Sequence, residues 1–270
     1  MADERRHIFI TGGASGIGRA VARYFGERNW FVSIADVNEA GMQDTLGLIP
    51  GGFKYSHKLD VRDRAAWDVA LESASTAAGG RIDVVFNNAG IGTGGPIAEL
   101  DVEEIDRCLD INLRGVLYGA QAAYPYLKKA APGSALVNTA SAAGITGGSG
   151  MSVYSATKFA VRGIAESLDA EWAPDGIKVS SICPSFIETP LLDGTGNRNN
   201  NEDIRSRVKA AGLEITPVEE VAEVVWEAVH SDKQVHFLVG KTARRLNFAK
   251  RWMPGKVRKQ QRQAAGILGK

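Results

Sequence analysis

The chain has 270 residues, 44% of them hydrophobic, which is enough to bury one substantial core, so a single domain is the simplest interpretation. No apolar run approaches the roughly 18 residues that span a bilayer, and the start Met-Ala-Asp-Glu-Arg-Arg is too polar to begin a secretory signal. Two isolated cysteines, Cys108 and Cys183, and four scattered histidines argue against a disulfide or a metal site. We therefore expect a soluble, cytoplasmic protein without a bound metal.

Seven strand-like segments alternate with helical patterns along the chain. They lie at about residues 7–11, 31–35, 54–59, 82–87, 134–139, 177–182 and 235–239. Strands that alternate with helices in this way form a parallel sheet with helices on both faces. The sequence therefore predicts an α/β fold with a doubly wound parallel sheet of about seven strands.

A glycine-rich turn joins the first strand to the first helix. Its glycines, Gly12, Gly16 and Gly18, are spaced G-x-x-x-G-x-G, and a helical pattern that begins near Ile17 follows them. A strand, a tight glycine turn and a helix bind the pyrophosphate of a dinucleotide, because backbone N–H groups face the phosphates and side chains would block the approach. The alternative is a glycine-rich turn without a ligand.

The second strand ends at Asp36, about twenty residues past the glycine turn, where the ribose hydroxyls of an adenosine are expected. Its carboxylate would repel a 2′-phosphate, and neither Val37 nor Ser15 supplies a cation to attract one. This argues for NAD over NADP as the cofactor. The alternative is an aspartate that ends a strand and caps a turn.

Tyr154 and Lys158 lie one helical turn apart, so their side chains can point into the same cleft. The ammonium favours phenolate and is expected to lower the pKa of Tyr154 toward neutrality. A phenol tuned in this way can exchange a proton with an alcohol oxygen near neutral pH. A Tyr and a Lys at this spacing are commonplace, and it is the glycine turn and Ser141, thirteen positions upstream of Tyr154, that favour a catalytic role.

Taken in chain order, these motifs resemble the short-chain dehydrogenase/reductase family, in its compact single-domain branch, over about residues 7 to 190. The resemblance implies a Rossmann-type fold and adds motifs such as Asp60-Val61, which brackets the adenine, and Pro184 with Thr189, which lines the nicotinamide. The residues that it assigns to the cofactor are Gly12, Ser15, Gly16, Ile17, Gly18, Asp36, Asp60, Val61, Asn88, Ala89, Gly90, Tyr154, Lys158, Pro184, Ile187 and Thr189.

The resemblance also implies reversible hydride transfer between the nicotinamide C4 and a secondary alcohol or ketone. Tyr154 acts as acid or base on the substrate oxygen, and Ser141 donates a hydrogen bond to that oxygen. Lys158 holds the nicotinamide ribose and lowers the tyrosine pKa, while Asn112 orients a water that connects Lys158 to solvent. Two plainer alternatives stay open: Ser141 as a turn former, and Asn112 as a residue that only satisfies backbone groups.

Apolar residues favour a hydrophobic substrate, such as a steroid-, terpenoid- or aryl-alcohol-like compound. They are Phe186, Ile187, Leu191 and Leu192 after the nicotinamide segment, with Ile91, Ala142, Ala143 and Ile145 in loops expected at the same cleft. Residues 1–240 form the predicted domain, including a substrate lid at about residues 185–215 whose tip runs from Gly194 to Glu202. Arg198, Arg205 and Arg207 could meet a substrate carboxylate there, but we expect each of them to be exposed to solvent.

The net charge of +1 conceals a separation of charge along the chain. No acidic residue follows Asp232, and residues 233–270 contain eleven Lys and Arg, so residues 1–232 carry a net charge of −10. A helical wheel of the extension 241–270 places Leu246, Phe248, Ala249, Trp252 and Met253 on one arc and Arg244, Lys250 and Arg251 opposite. We expect this basic amphipathic helix to dock on the acidic body or on a partner subunit. Peripheral membrane contact and a solvated tail are the alternatives, and the acidic body disfavours nucleic acid.

Assembly and function each leave alternatives. The resemblance implies at least a homodimer through the helix of Tyr154, whereas the Asp-Gly-Gly segment that often supports tetramers is replaced by Val239-Gly240-Lys241, which leaves a homotetramer open. The rival functions are an NADPH-dependent carbonyl reductase, which Asp36 disfavours, and a non-catalytic NAD-sensing or scaffold protein. The second would not need the three catalytic side chains together.

Overall fold

The structure is a computed structural model that describes residues 5–194 and 203–268, with residues 194 and 264–268 described by their backbone alone. The predicted lid tip therefore lies outside the described residues apart from the backbone of its first residue.

Seven strands form one parallel sheet, in the order β3-β2-β1-β4-β5-β6-β9, and two short strands, β7 and β8, pair separately. The strands are β1 (His7–Thr11), β2 (Phe31–Asp36), β3 (Lys54–Lys58), β4 (Val84–Asn87), β5 (Ala135–Thr139), β6 (Lys178–Pro184), β7 (Phe186–Ile187), β8 (Ile215–Thr216) and β9 (His236–Val239). The predicted doubly wound sheet of about seven strands is confirmed, with boundaries that differ by one or two residues.

Helices cover both faces of the sheet. They are α1 (Gly16–Gly26), α2 (Glu39–Leu48), α3 (Arg64–Ala77), α4 (Val102–Leu109), α5 (Gly115–Ala130), α6 (Ser152–Trp172), α7 (Leu191–Gly194), α8 (Ile204–Ala210), α9 (Val218–His230), α10 (Gly240–Trp252) and α11 (Pro254–Leu268). None of these helices, over the residues that the structure describes, combines the length and the apolar character that crossing a bilayer requires.

Two buried cores sandwich the sheet because successive residues of a strand point to opposite faces. In β1, Ile8 and Ile10 pack with residues of α1 and α9 on one face. Phe9, between them, packs with residues of α3 and α5 on the other face. The central strands of such a sheet are buried on both faces, which is why β1, β2 and β4 read as mainly apolar runs in the sequence.

The strand order reverses between β1 and β4, since the chain builds outward from β1 to β3 and then crosses back. Ligands of doubly wound sheets bind at this reversal, in the crevice beyond the carboxyl ends of the strands. The glycine turn follows β1 there, and residues 88–90 follow β4. The topology therefore brings these two segments together.

The extension docks on the body through the start of α10. Ala243 and Leu246 pack into a third apolar cluster that includes Ala142, next to Ser141 in sequence. The predicted apolar arc does not dock as one face, because Leu246 packs against the body while Phe248 and Trp252 are 60% and 65% exposed. The small side chain of Ala243 lets this face of the helix approach closely, which leaves the two aromatic rings on the opposite face.

A buried histidine in β1 makes the stability depend on pH. The ring of His7 has its Nδ1 2.6 Å from the carbonyl oxygen of Arg81 and its Nε2 2.8 Å from Oγ of Ser33. Burial lowers the pKa of His7 to about 4, and this outweighs the opposing effects of the Arg81 carbonyl and the Asp83 carboxylate. In the folded protein His7 therefore stays neutral at pH values where the histidine of the unfolded chain, with a pKa of about 6.5, is protonated.

We expect the free energy of unfolding to be fully present above about pH 6.5 and to fall as the pH decreases toward 4, by about 2 kcal/mol from pH 7 to about pH 5 through His7 alone. Urea denaturation at several pH values measures this change. His7→Gln removes the titrating group, so its stability should change less over the same pH range. An identical pH slope in the two proteins would contradict the assignment.

Candidate active site

The glycine turn is closed by backbone contacts that leave no room for side chains. Gly12 and Gly16 have φ of 66° and 52°, in the left-handed region that glycine adopts without strain. A Cβ at Gly18 would lie 2.1 Å from the carbonyl oxygen of Gly12. Helix α1 starts at Gly16, so its first N–H groups face the crevice, as a phosphate requires.

Asp36 ends β2 beside this turn. Its carboxylate accepts hydrogen bonds from the backbone N–H of Ala14 at 3.1 Å and of Asn38 at 3.0 Å. These contacts hold the carboxylate at the edge of the crevice. Arg19, a cation on α1, donates to the carbonyl of Ala14 at 2.6 Å and does not line the cleft.

The segment after β4 is braced across the crevice. Thr11 Oγ1 accepts from the backbone N–H of Asn88 at 3.0 Å and of Ala89 at 3.1 Å, and Asn88 Nδ2 donates to the carbonyl of Thr11 at 2.9 Å. In another part of the crevice wall, the carboxylate of Asp60 accepts from the guanidinium of Arg62, which lowers the pKa of Asp60.

Ser141, Tyr154 and Lys158 meet at the other end of the crevice. The Lys158 ammonium nitrogen lies 5.5 Å from the ring centroid of Tyr154 and donates to the carbonyl of Thr139 at 2.8 Å. Ser141 Oγ accepts a hydrogen bond from the backbone N–H of Ala143 at 3.1 Å, so Ser141 also stabilises the turn that follows β5. The Ser141 hydroxyl also donates a long hydrogen bond of 3.5 Å to the carbonyl of Pro184.

The structure corrects the expected pKa of Tyr154. Burial raises this pKa above its ordinary value, and the nearby Ser141 hydroxyl opposes the rise only in part. Burial also lowers the pKa of Lys158 to about 8. The cost of desolvating both groups outweighs the attraction of the ammonium for phenolate in the protein alone, and the spacing of the two residues in the sequence does not report this cost.

Asn112 lies beneath the cleft, not in its wall. It is fully buried in a π-helical segment, Asp110–Arg114, between α4 and α5. Its Oδ1 accepts from the N–H of Ile91 and its Nδ2 donates to the carbonyl of Ile91, both at 2.8 Å. A Cβ at Gly90 would lie 3.2 Å from this Oδ1 and 3.6 Å from the Lys158 nitrogen, so Asn112 supports the loop beside the lysine.

One cleft of about 400 Å³ connects the two ends. The predicted site residues that line it are Gly12, Ser15, Gly16, Ile17, Asp36, Asp60, Val61, Asn88, Ala89, Gly90, Ser141, Tyr154, Lys158, Pro184, Ile187 and Thr189. The other two predicted site residues, Gly18 and Asn112, do not line the cleft. The cleft thus runs from Asp36 to Tyr154 past the glycine turn.

A family model described as short chain dehydrogenase matches residues 6–200 of the chain. The chain belongs to the short-chain dehydrogenase family. It is therefore an oxidoreductase with a fold that binds nicotinamide cofactors.

Curated and solved members of the short-chain dehydrogenase family align with most of the chain. The 3-alpha-(or 20-beta)-hydroxysteroid dehydrogenase of Mycobacterium bovis is 37% identical over 184 residues, which are 68% of this chain and 70% of the relative. The 3-ketoacyl-(acyl-carrier-protein) reductase of Brucella melitensis, solved with NADH, has 27% identity, a TM-score of 0.76 and coverage of 87% and 96%. A single-residue variant of the actinorhodin polyketide ketoreductase, solved with NADPH, has 28% identity, a TM-score of 0.78 and coverage of 88% and 97%.

Several lining residues of this short-chain dehydrogenase were missed in the sequence. Thr139, which holds Lys158, ends β5, and its position at the carboxyl end of a central strand was the available signal. Arg107 and Ile111 line the cleft one helical turn apart, but their spacing is too common to identify them. Phe186, Ala142, Ala143 and Ile145 were expected at the cleft and do not line it. Ala142 and Ile145 pack instead in the apolar cluster that contains Ala243 of α10.

Proposed function

We propose that the chain transfers a hydride reversibly between NAD(H) and a hydrophobic secondary alcohol or ketone. The observation that carries this proposal is the placement of Ser141, Tyr154 and Lys158 at one end of a cleft whose other end holds the Asp36 carboxylate. A dinucleotide has its reactive ring and its adenosine ribose at opposite ends, so one molecule can reach both groups.

The residues present fit a dinucleotide. The turn at Gly12 and Gly16, together with the first N–H groups of α1, would hold the pyrophosphate. Asp36 would accept hydrogen bonds from the adenosine ribose hydroxyls, and Lys158 has further N–H groups besides the one given to Thr139. The bound nicotinamide would supply or accept the hydride.

The protein's own residues manage the proton at the substrate oxygen. Tyr154 donates its hydroxyl proton in ketone reduction and accepts a proton in alcohol oxidation. Ser141 donates a hydrogen bond to the same oxygen, where charge develops during the reaction. Lys158, held by the Thr139 carbonyl, stabilises the phenolate form of Tyr154 and orients the ribose. Asn112 acts as a positioning residue through the loop at Ile91.

The apolar part of the cleft wall supports a hydrophobic substrate. Ile91, Ile187, Leu191 and Leu192 line the same cleft as Tyr154. Arg205, which could have met a substrate carboxylate, pairs instead with Glu188 and Asp193 at the base of the lid. A steroid-, terpenoid- or aryl-alcohol-like substrate therefore suits the site, and the relative from M. bovis is named for a hydroxysteroid.

Two further points belong to the proposal. The protein acts as a homodimer through α5 and α6, whose Leu117 and Phe159 are 46% and 42% exposed. It works in the cytoplasm, where its two free, buried cysteines stay reduced.

The test of function is a titration with NADH and NADPH on one preparation, followed by hydrophobic secondary alcohols with the preferred oxidised cofactor. A preference for NADH with turnover of an alcohol supports the proposal. Preference for NADPH would establish the carbonyl reductase alternative, which the NADPH-bound ketoreductase among the structural neighbours keeps open. Cofactor binding without turnover over a broad panel would leave the sensing or scaffold protein.

The cofactor preference is expected to depend on the charge of Asp36. Asp36→Asn removes the negative charge and keeps one acceptor oxygen, which can serve only one of the two backbone N–H groups, because Ala14 and Asn38 donate to different oxygens of the carboxylate. A hydrogen bond to a charged group contributes about 1.5–3 kcal/mol, so NADH binding should weaken at least about tenfold, whereas NADPH binding should tighten. Fluorescence titration measures both dissociation constants.

The matched control for this change is Asp44→Asn. Asp44 is a carboxylate of α2 whose side chain is 74% exposed and lies outside the cleft. It should leave both dissociation constants unchanged. Equal effects of the two substitutions, or an unchanged ratio of NADH to NADPH affinity in Asp36→Asn, would contradict the role of Asp36 in selecting NADH.

A further inference from the structure

The outer face of α10 carries two aromatic rings that the body does not cover. Phe248 and Trp252 are one helical turn apart and are 60% and 65% exposed, and Met253, at the end of the helix, is 38% exposed. Large apolar side chains at a spacing of four residues form a continuous patch on a helix. A contiguous exposed apolar patch of this kind is typical of an interaction site.

Cations surround this patch. Arg245 and Arg251 are exposed on the same helix, and Lys256 and Arg258 are exposed at the start of α11. Within the part of the chain that the structure describes, the ion pairs of α10 involve Lys241 with Glu214 and Arg244 with Glu220, both at its first turns. The later cations therefore keep their charge free for a partner.

The charge of the whole chain orients this face. Residues 1–232 carry a net charge of −10, and the eleven Lys and Arg of residues 233–270 stand without a single acidic residue among them. A molecule divided in this way turns its basic end toward an anionic surface and its acidic body away from it. The inner side of α10 is already used, because Ala243 and Leu246 pack on the body.

We propose that the outer face of α10, with the start of α11, binds the surface of an anionic lipid bilayer. Trp252 and Phe248 enter the boundary between headgroups and acyl chains, where tryptophan is favoured because its ring is apolar and its N–H is polar. Arg245, Arg251 and the cations of α11 contact the anionic headgroups. The contact is peripheral, and it is independent of the reaction proposed above.

Vesicle co-sedimentation of the full chain tests this proposal. The protein should pellet with vesicles of phosphatidylserine and phosphatidylcholine in equal parts and remain in solution with phosphatidylcholine alone. High salt should release it, because screening shortens the reach of the headgroup charges. Failure of the wild-type chain to pellet with the anionic vesicles would overturn the proposal.

Two variants separate the aromatic and the basic contributions. The double variant Arg245→Gln/Arg251→Gln should lower the partition coefficient about 25-fold, from about fivefold for each cation near an anionic surface. Phe248→Ser/Trp252→Ser should lower it at least about tenfold, because both rings leave the bilayer interface. The matched control Leu48→Ser/Val102→Ser removes two apolar residues that are 50% and 66% exposed on α2 and α4. It should bind like the wild type.

All the substituted residues are exposed, so each variant should fold normally. NADH binding and circular dichroism should therefore match those of the wild type. The proposal would be contradicted if the control Leu48→Ser/Val102→Ser lost as much vesicle binding as the α10 variants. It would also be contradicted if neither α10 variant lost vesicle binding. Light scattering distinguishes the rival occupant, a second copy of this chain. If Phe248→Ser/Trp252→Ser had a lower oligomeric mass than the wild type, and the wild type did not bind vesicles, the outer face of α10 would be assigned to contact with a second copy.

Discussion

Replacing Tyr154 with phenylalanine is expected to lower kcat by about 10²- to 10⁴-fold, the usual contribution of a positioned acid or base. The substitution removes one hydroxyl and keeps the ring beside Lys158, whose ammonium nitrogen lies 5.5 Å from the ring centroid. The backbone that holds the cofactor is untouched, so the dissociation constant of NADH should stay unchanged. Steady-state kinetics and fluorescence titration on the same preparation measure the two quantities.

The matched control is Tyr118→Phe, which removes a tyrosine hydroxyl on α5, away from the cleft. Its turnover should equal that of the wild type. If Tyr154→Phe retained turnover close to the wild type, the acid–base role would have to be given to another group. A parallel loss of NADH binding would instead indicate a structural role for the hydroxyl.

The pH dependence provides a second signature of the same residue. Since burial raises the pKa of Tyr154, its hydroxyl is protonated at neutral pH, which suits donation in ketone reduction. Alcohol oxidation needs the phenolate, so its kcat/KM should increase as the pH rises, while that of reduction decreases. The residual activity of Tyr154→Phe should lack this dependence.

Much of the fold could be predicted because each central strand is buried on both faces. Runs such as Ile8 to Ile10 read as strands without further context, and the alternation with helices defines the parallel order. The site followed from the same regularity: Gly12, Asp36 and Ser141 each follow or end a strand at its carboxyl side, and the topology of a doubly wound sheet brings these ends together.

The remaining features depend on contacts between distant segments. The raised pKa of Tyr154 is due to burial, which its spacing from Lys158 does not report. The orientation of α10 depends on which face fits the body. A helical wheel does not predict that Ala243 and Leu246, and not Phe248, pack against the body. Asn112 forms hydrogen bonds with Ile91, a residue of a separate loop, and no spacing in the sequence indicates this contact.

Substituting alanine for Gly18 is expected to abolish tight cofactor binding. The added Cβ would lie 2.1 Å from the carbonyl oxygen and 2.8 Å from the carbonyl carbon of Gly12, and 2.9 Å from Nδ2 of Asn88. Two of these atoms belong to the backbone, so the clash cannot be relieved by a side-chain rotation. Helix α1 or the turn must shift, and the hydrogen bond from Asn88 Nδ2 to the Thr11 carbonyl would be disturbed with it.

We expect the dissociation constant of NADH to rise at least about a hundredfold, equivalent to about 2.7 kcal/mol, because the N–H groups of the turn and of α1 no longer converge on the pyrophosphate. Overpacking should also lower the free energy of unfolding by about 1–3 kcal/mol. Fluorescence titration and urea denaturation measure the two effects separately.

The matched control for Gly18→Ala is Gly47→Ala, since Gly47 lies in α2 and a Cβ there would meet no atom within 4 Å. Alanine loses less conformational freedom than glycine in a helix, so this variant should be more stable by about 0.5–1 kcal/mol and should bind NADH normally. The contrast isolates the close approach at Gly18 from the general effect of adding a methyl group. A Gly18→Ala protein that bound NADH like the wild type would show that the turn does not hold the pyrophosphate, whatever the fate of Tyr154.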